Sequence, residues 1–296
     1  MPATMETAFI GFGEAGRTFG AALRDAGFDS LRAFDRKSLS DVTCGEIEAA
    51  CRAFGVRCAA SAVAAVEGAE LVLSVVTADQ AYEAAAAAAS GIAPGALFCD
   101  MNSVAPETKR KARMAVEQAG GRYIDIAIMA PVQPAALAVP LLASGPHATV
   151  AQAALARLGF SVEVVDGQVG AASAIKMVRS IMVKGIEALT AECLLSARAA
   201  GVEEAVIASL EASTGNRRWR EQADYNLDRM LVHGLRRAAE MEESSRTAAA
   251  LGLGGAMAAK TADWQRRLGA LRVAEPPPGL AAKLDLILHR LGTIAA

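Results

Sequence analysis

Two groups of residues have the types and spacing that chemistry needs. The first is Gly11, Gly13 and Gly16, in GxGxxG order within FIGFGEAGRTFG at 9–20. In a dinucleotide turn the first glycine permits the tight bend, the second lets the backbone approach a pyrophosphate, and the third lets the next helix pack closely. The helix start then presents N–H groups and a partial positive charge to the phosphates. On that reading Phe12, Glu14 and Ala15 border the cofactor together with the glycines. The second group is Lys176, Arg179, Ser180, Lys184 and Glu187, which recur at spacings of three and four within 170–200 and so share one helix face. Ile175, Val178, Met182, Ile186 and Leu189 fill other positions of that helix. The polar face reads either as the solvated stripe of an amphipathic helix or as the wall of a cleft beside a dinucleotide domain, where substrates bind.

These residues need elements to hold them. A short apolar run at 8–10 precedes the glycines and a helical pattern at 15–26 follows, the strand–turn–helix order in which the motif signifies a dinucleotide. A second strand, 30–34, ends at Asp35, about 20 residues past the glycines, where an acidic residue accepts hydrogen bonds from the adenosine ribose. Asp35 would repel a 2′-phosphate and so favours NAD; Arg36 and Lys37 follow at once and suit such a phosphate, which keeps NADP open. The near-continuous apolar run 70–76 reads as a parallel strand covered on both faces. Val76, Thr77 and Gln80 lie at its carboxyl end, where ligands sit in open α/β sheets. The strand at 96–99 delivers Asp100, Met101, Asn102 and Ser103 in the same way, and Pro106 suits the first turn of the next helix. Strands and helices alternate as far as 162–165; from Gly170 the pattern is helical. The expected fold is an α/β Rossmann domain with a mostly parallel, doubly wound sheet at 1–168, followed by an all-α domain at 169–296.

Bulk properties narrow the function classes. The 296 residues suffice for two ordinary domains. Thirty Lys and Arg against 32 Asp and Glu leave a formal net charge of -2, which makes no case for nucleic acid or an anionic membrane as partner. Cys44, Cys51, Cys58, Cys99 and Cys193 contain no CxxC pair and read as core or surface residues, so no metal is expected. Reduced thiols suit a cytoplasmic protein. Residues 1–7 leave no room for a signal peptide. The longest apolar stretch, 124–143, is broken by Pro131, Pro134 and Pro140, which argues against a membrane span.

GFGEAG from Gly11, VVTADQ from Val75, DMNSVAP from Asp100 and GAASAIKMVRS from Gly170 together resemble the β-hydroxyacid dehydrogenase family, relatives of 3-hydroxyisobutyrate and 6-phosphogluconate dehydrogenases. HGLRRAAEMEE from His233 further resembles a subgroup whose helical C-terminal domain has no settled function. The resemblance implies an NAD(P)-dependent oxidoreductase moving a hydride between nicotinamide and a small β-hydroxy acid, with Lys176 as general acid/base. A lysine can do this where desolvation and the nicotinamide charge lower its pKa toward neutrality. The resemblance also puts Asn102 and Ser103 at the substrate hydroxyl or carboxylate; for Ser103, capping the following helix is the alternative. Two departures stand out. The family's asparagine four residues after the lysine is Ser180 here, and its Ser-Gly-Gly substrate loop is replaced by Met129, Ala130 and Pro131. Arg179, one turn from Lys176, is the expected substitute contact for a substrate carboxylate. His233, Arg236 and Arg237 read as an exposed basic face of a helix at 227–251, and Trp219 and Tyr225 as fillers of the helical core. The family also implies a homodimer or larger assembly. Competing readings are imine reduction on the same scaffold, against which Lys176 speaks, and a non-catalytic dinucleotide sensor or scaffold.

Overall fold

The computed structural model describes residues 5–214 and 218–292. The chain opens with β1 (Thr7–Ile10), α1 (Glu14–Asp25), β2 (Leu31–Phe34), α2 (Cys44–Ala53), the short β3 (Arg57–Cys58) and α3 (Ala62–Val66). It continues with β4 (Leu71–Ser74), α4 (Ala81–Ala89), β5 (Leu97–Asp100), α5 (Pro106–Gln118) and β6 (Arg122–Ile128). Next come β7 (Leu141–Ser144), α6 (Ala148–Arg157) and β8 (Val162–Val164). The rest is helical: α7 (Ala171–Ala199), α8 (Glu203–Thr214), α9 (Trp219–Ala250), α10 (Ala256–Gly269) and α11 (Leu280–Arg290).

The strands form one sheet in the order β3-β2-β1-β4-β5-β6-β7-β8. Neighbours are parallel except β6 and β7, which run antiparallel. Every residue of β1, β4 and β5 is buried, as the unbroken apolar runs require of strands covered on both faces. Side chains alternate between the two layers: Phe9 joins Phe19, Leu23 and Leu155 on one side, while Ala8 and Ile10 join Val66, Phe98 and Tyr123 on the other. The strand order reverses between β1 and β4, and in open sheets the crevice beyond the carboxyl ends of such a pair is where ligands bind. The glycine turn and the loop from Val75 to Gln80 both leave from that crevice.

Residues up to Met177 form one compact unit and those from Val178 a second, so the division falls within α7. The second unit packs Leu194, Leu227, Met230, Leu284 and Ile287 into its own core. Its tightest crossing is between α9 and α10. A Cβ on Gly234 would lie 2.3 Å from the Gln265 carbonyl oxygen, and one on Gly269 2.5 Å from Leu235 N, so only glycines allow these backbones to meet. α9 starts at Trp219, two turns before the position expected from the sequence. Tyr225 does not fill the core as expected; it is an exposed residue of that helix. Among the described residues no helix is long and apolar enough to cross a membrane.

Candidate active site

The three glycines separate into two kinds. Gly11 has φ +94°, and a Cβ there would lie 2.5 Å from the Val75 carbonyl oxygen; a Cβ on Gly16 would lie 2.6 Å from the Gly11 oxygen. Both are demanded by the packing of turn, helix and β4. Gly13 is not, since a Cβ added to it meets nothing within 4 Å. It caps the start of α1 at φ -82° with no side-chain bond to the first turn. Open space over a helix N-terminus is what an approaching pyrophosphate needs, so this turn fits a dinucleotide. Glu14 is exposed and Ala15 half-buried beside it. The Phe12 ring is wholly buried, edge-on to Phe9 and Phe54. Its N–H donates to Asp35 Oδ2 at 2.7 Å, and its carbonyl accepts from Arg17 Nε at 3.0 Å.

Asp35 therefore ties the end of β2 to the glycine turn, and its Oδ1 accepts the Lys37 N–H at 2.9 Å. Arg36 and Lys37 have exposed side chains. At the end of β4, the Val76 N–H donates to Asn102 Oδ1 at 2.6 Å. Hydrogen bonds from Thr77 first, and from Gln80 second, hold the Asp79 carboxyl below the usual carboxylate range, so both side chains are engaged within that turn. An open hollow bordered by Met5, Glu70, Pro94 and Arg122 lies at the opposite, amino-terminal edge of the sheet and shares none of these residues.

Beyond β5 the two residues expected at the substrate part company in role. Asn102 is buried and braces the loop; Ser103 is half-buried and its Oγ accepts from Lys176 Nζ at 2.5 Å. Ser103 does not cap α5, whose cap is Ala105 with no side-chain bond. Residues 73 positions apart are thus brought into contact, a lysine from the start of α7 and a hydroxyl from the β5 loop. The Met129 N–H is bonded to the Pro140 carbonyl and Pro131 has no N–H, so the loop after β6 offers an anion no run of donors.

The face of α7 is not a solvated stripe. Ser180, Lys184 and Glu187 are buried, whereas Ile175, Val178, Met182 and Leu189 are exposed, and Arg179 is exposed with them rather than with Ser180. Lys184 Nζ donates to Glu240 Oε2 at 2.6 Å and to Ser180 Oγ at 3.5 Å. Burial pulls the Lys184 ammonium below its ordinary value, an effect that Glu240 only partly offsets. The expected basic face of α9 is also corrected: Arg237 is buried and paired with Glu187, while Arg236 bonds Glu240 at 3.1 Å and His233 is half-buried. The sequence carries the attraction that drives this, but the partners stand 50 and 56 residues apart.

Sequence reasoning missed a second buried group beneath the Lys176–Ser103 pair: Asp100, Lys109, Tyr123, Asp125 and Ser173. One signal was present. Lys109 falls in register with the buried Ala105, Ala112 and Val116, the apolar stripe of α5, where a lysine must find partners.

Residues 6–164 match the family described as the NAD binding domain of 6-phosphogluconate dehydrogenase, and residues 197–268 match a domain of unknown function, DUF1932. The chain belongs to this family of dinucleotide-binding, 3-hydroxyacid dehydrogenase-like proteins. A conserved hypothetical protein of Sinorhizobium meliloti 1021 is 34% identical over 98% of both chains, with a TM-score of 0.74. The conserved protein MTH1747, described as of unknown function with structural similarity to 3-hydroxyacid dehydrogenases, is 31% identical over 90% of this chain and 99% of its own, with a TM-score of 0.67. The fold alone is shared with 3-hydroxyisobutyrate dehydrogenase of Mycobacterium tuberculosis, at 18% identity over 96% of this chain and 98% of that one with a TM-score of 0.72, and extends to imine reductases.

Proposed function

We propose that this chain is an NAD(P)-dependent oxidoreductase acting on the hydroxyl of a small β-hydroxy acid, with Lys176 as its general acid/base. The observation that carries the reading is the Lys176 Nζ to Ser103 Oγ contact of 2.5 Å, at the carboxyl end of the sheet that also presents the glycine turn. A bound nicotinamide supplies the hydride acceptor. Lys176 takes the proton from the substrate hydroxyl, and Ser103 holds that hydroxyl toward the amine. Gly13, with the backbone N–H groups of Glu14 and Ala15, receives the pyrophosphate, while Gly11 and Gly16 shape the turn and the Phe12 N–H holds Asp35 beside it. Val76, Thr77 and Gln80 line the cofactor from β4. Asp35 accepts from the ribose through lone pairs left beside its two backbone bonds, and its charge favours NAD over NADP. Asn102 braces the loop that carries Ser103, and Ser180 is engaged by Lys184. Arg179, exposed and able to turn, replaces the missing loop donors as the carboxylate contact.

Residues 1–168 then serve the cofactor and 169–296 the substrate and a homodimer contact, in a cytoplasmic setting suited to five free thiols. Arg179→Ala is expected to raise the Michaelis constant of every accepted acid; an unchanged constant removes Arg179 from the site. The function is tested by oxidation of a panel of hydroxy acids with NAD and NADP, alongside fluorescence titration of NADH and NADPH. Turnover of at least one acid, with NADH bound more tightly, is the expected outcome. Cofactor binding with no turnover of any acid favours a dinucleotide sensor, the reading to which the altered loop at Met129–Pro131 lends support. Tighter NADPH binding reverses the assignment at Asp35.

A further inference from the structure

We infer that Lys109 is a positioning residue: its buried ion pairs with Asp100 and Asp125 lock the loop bearing Ser103 to the start of the helix bearing Lys176, and so set the contact between those two. The inference rests on the reading of Lys176 and Ser103 as the working pair.

Lys109 has no exposed side-chain surface, and its Nζ lies 2.9 Å from Asp100 Oδ1 and 3.5 Å from Asp125 Oδ1. It also donates to the Asp100 carbonyl at 2.6 Å. An ion stripped of water is tolerated only where surrounding groups hold a fixed geometry around it, and loss of one partner leaves the others unpaired. Two arms run out from this centre. On one, Asn102 donates to Asp100 Oδ1 through its N–H at 3.0 Å and its Nδ2 at 2.8 Å. Asn102 in turn takes the Val76 N–H, which pins the segment just before Ser103 to the end of β4. Tyr123 donates to Asp100 Oδ2 at 2.6 Å, and burial first, with Asp100 next, pushes its phenol well above the ordinary value, so it stays a donor.

On the other arm, Asp125 Oδ2 accepts from Gly170 N at 3.0 Å, Ser173 N at 3.1 Å and Ser144 Oγ at 3.0 Å, while Oδ1 accepts from Ser173 Oγ at 2.5 Å. Ser173 is in the first turn of α7, and Lys176 follows three residues later on the same face. Two carboxylates thus face one ammonium, and the excess negative charge sits at the N-terminus of a 29-residue helix, whose dipole favours it there. Both arms end within one turn of the two atoms that meet at 2.5 Å. An ion cluster serving stability alone has no need of that convergence.

The test reads Lys176 itself and needs no substrate. The full chain is treated with trinitrobenzenesulfonate over a pH series, and labelling at Lys176 is quantified by peptide mass spectrometry against the exposed Lys111 and Lys260. In Lys109→Met, Lys176 is expected to label about threefold faster or more relative to those controls, a change of the size that coupled neighbours show. NADH affinity stays near the wild-type value. Ser173→Ala, which removes one hydroxyl and spares the ion pairs, is expected to move Lys176 in the same direction by less. It decides the matter if Lys109→Met does not fold. A lowered melting temperature with an unchanged Lys176 to Lys260 labelling ratio in folded Ser173→Ala overturns the inference. Faster labelling of Lys176 in the variants, together with a wild type that turns over no hydroxy acid, upholds the positioning and rejects the proposed reaction.

Discussion

Individual side chains here are placed by demands that can be told apart. Gly11 and Gly16 serve the fold, because a Cβ on either would strike a carbonyl oxygen; a Cβ on Gly13 would meet nothing within 4 Å, and the proposed cofactor site gives that open space a use. Gly11→Ala is therefore expected to cost about 2 kcal/mol of stability or more in urea unfolding, because the residue must hold a positive φ as well. Gly13→Ala is expected to unfold at nearly the wild-type urea concentration and yet lose about tenfold or more in NADH affinity, since its methyl would sit where the phosphates approach. Equal affinity for NADH in the two proteins would remove the turn from the cofactor site. The GxGxxG spacing was legible in the sequence. The tie from Phe12 N–H to Asp35 was not, because a strand-end aspartate looks the same whether it faces a ribose or its own backbone.

At the scale of the element, α7 inverts the usual amphipathic arrangement. Of the polar set read onto one face, Ser180, Lys184 and Glu187 are buried together while Arg179 is exposed with the apolar flank, because periodicity says which residues lie near one another and not which face is buried. The answer depended on Glu240 and Arg237, supplied by a helix some 50 residues on. Removing Lys184 takes its donor from Glu240 Oε2, while the bond from Arg236 to the other oxygen of that buried carboxylate stays. Lys184→Met is expected to lose about 1–3 kcal/mol, whereas the double variant Lys184→Met, Glu240→Leu is expected to match or exceed the wild type by about 1–4 kcal/mol. The pH dependence follows from the lowered Lys184 value. Between that value and the ordinary 10.5 of a lysine, the unfolded chain binds more protons than the folded one, so this group makes stability rise with pH across that window. Denaturant unfolding at a series of alkaline pH values is expected to show a smaller rise in the double variant than in the wild type. A parallel pair of curves would mean that the burial of Lys184 has no energetic consequence.

For the whole molecule, alternation of strand and helix followed by helix alone was enough to read the doubly wound sheet and the helical region. The antiparallel β7 was not legible, because strand direction is set by where the chain returns and not by composition. The exposed flank of α7 carries Ile175, Val178, Met182 and Leu189, which are 44%, 48%, 67% and 58% exposed. Under the proposed homodimer contact, a second copy of the chain would cover this flank. Met182→Glu is expected to reduce the mass in light scattering after size-exclusion chromatography to that of one chain, and an unchanged mass would place the contact elsewhere. The central claim is the role of the amine that meets Ser103. It is tested most directly by turnover of the best hydroxy acid from the panel in wild type and Lys176→Ala, with the NADH dissociation constant measured for each. A fall of about 100-fold to 10,000-fold in turnover with an unchanged dissociation constant is the expected result. Turnover in Lys176→Ala close to that of the wild type would contradict it.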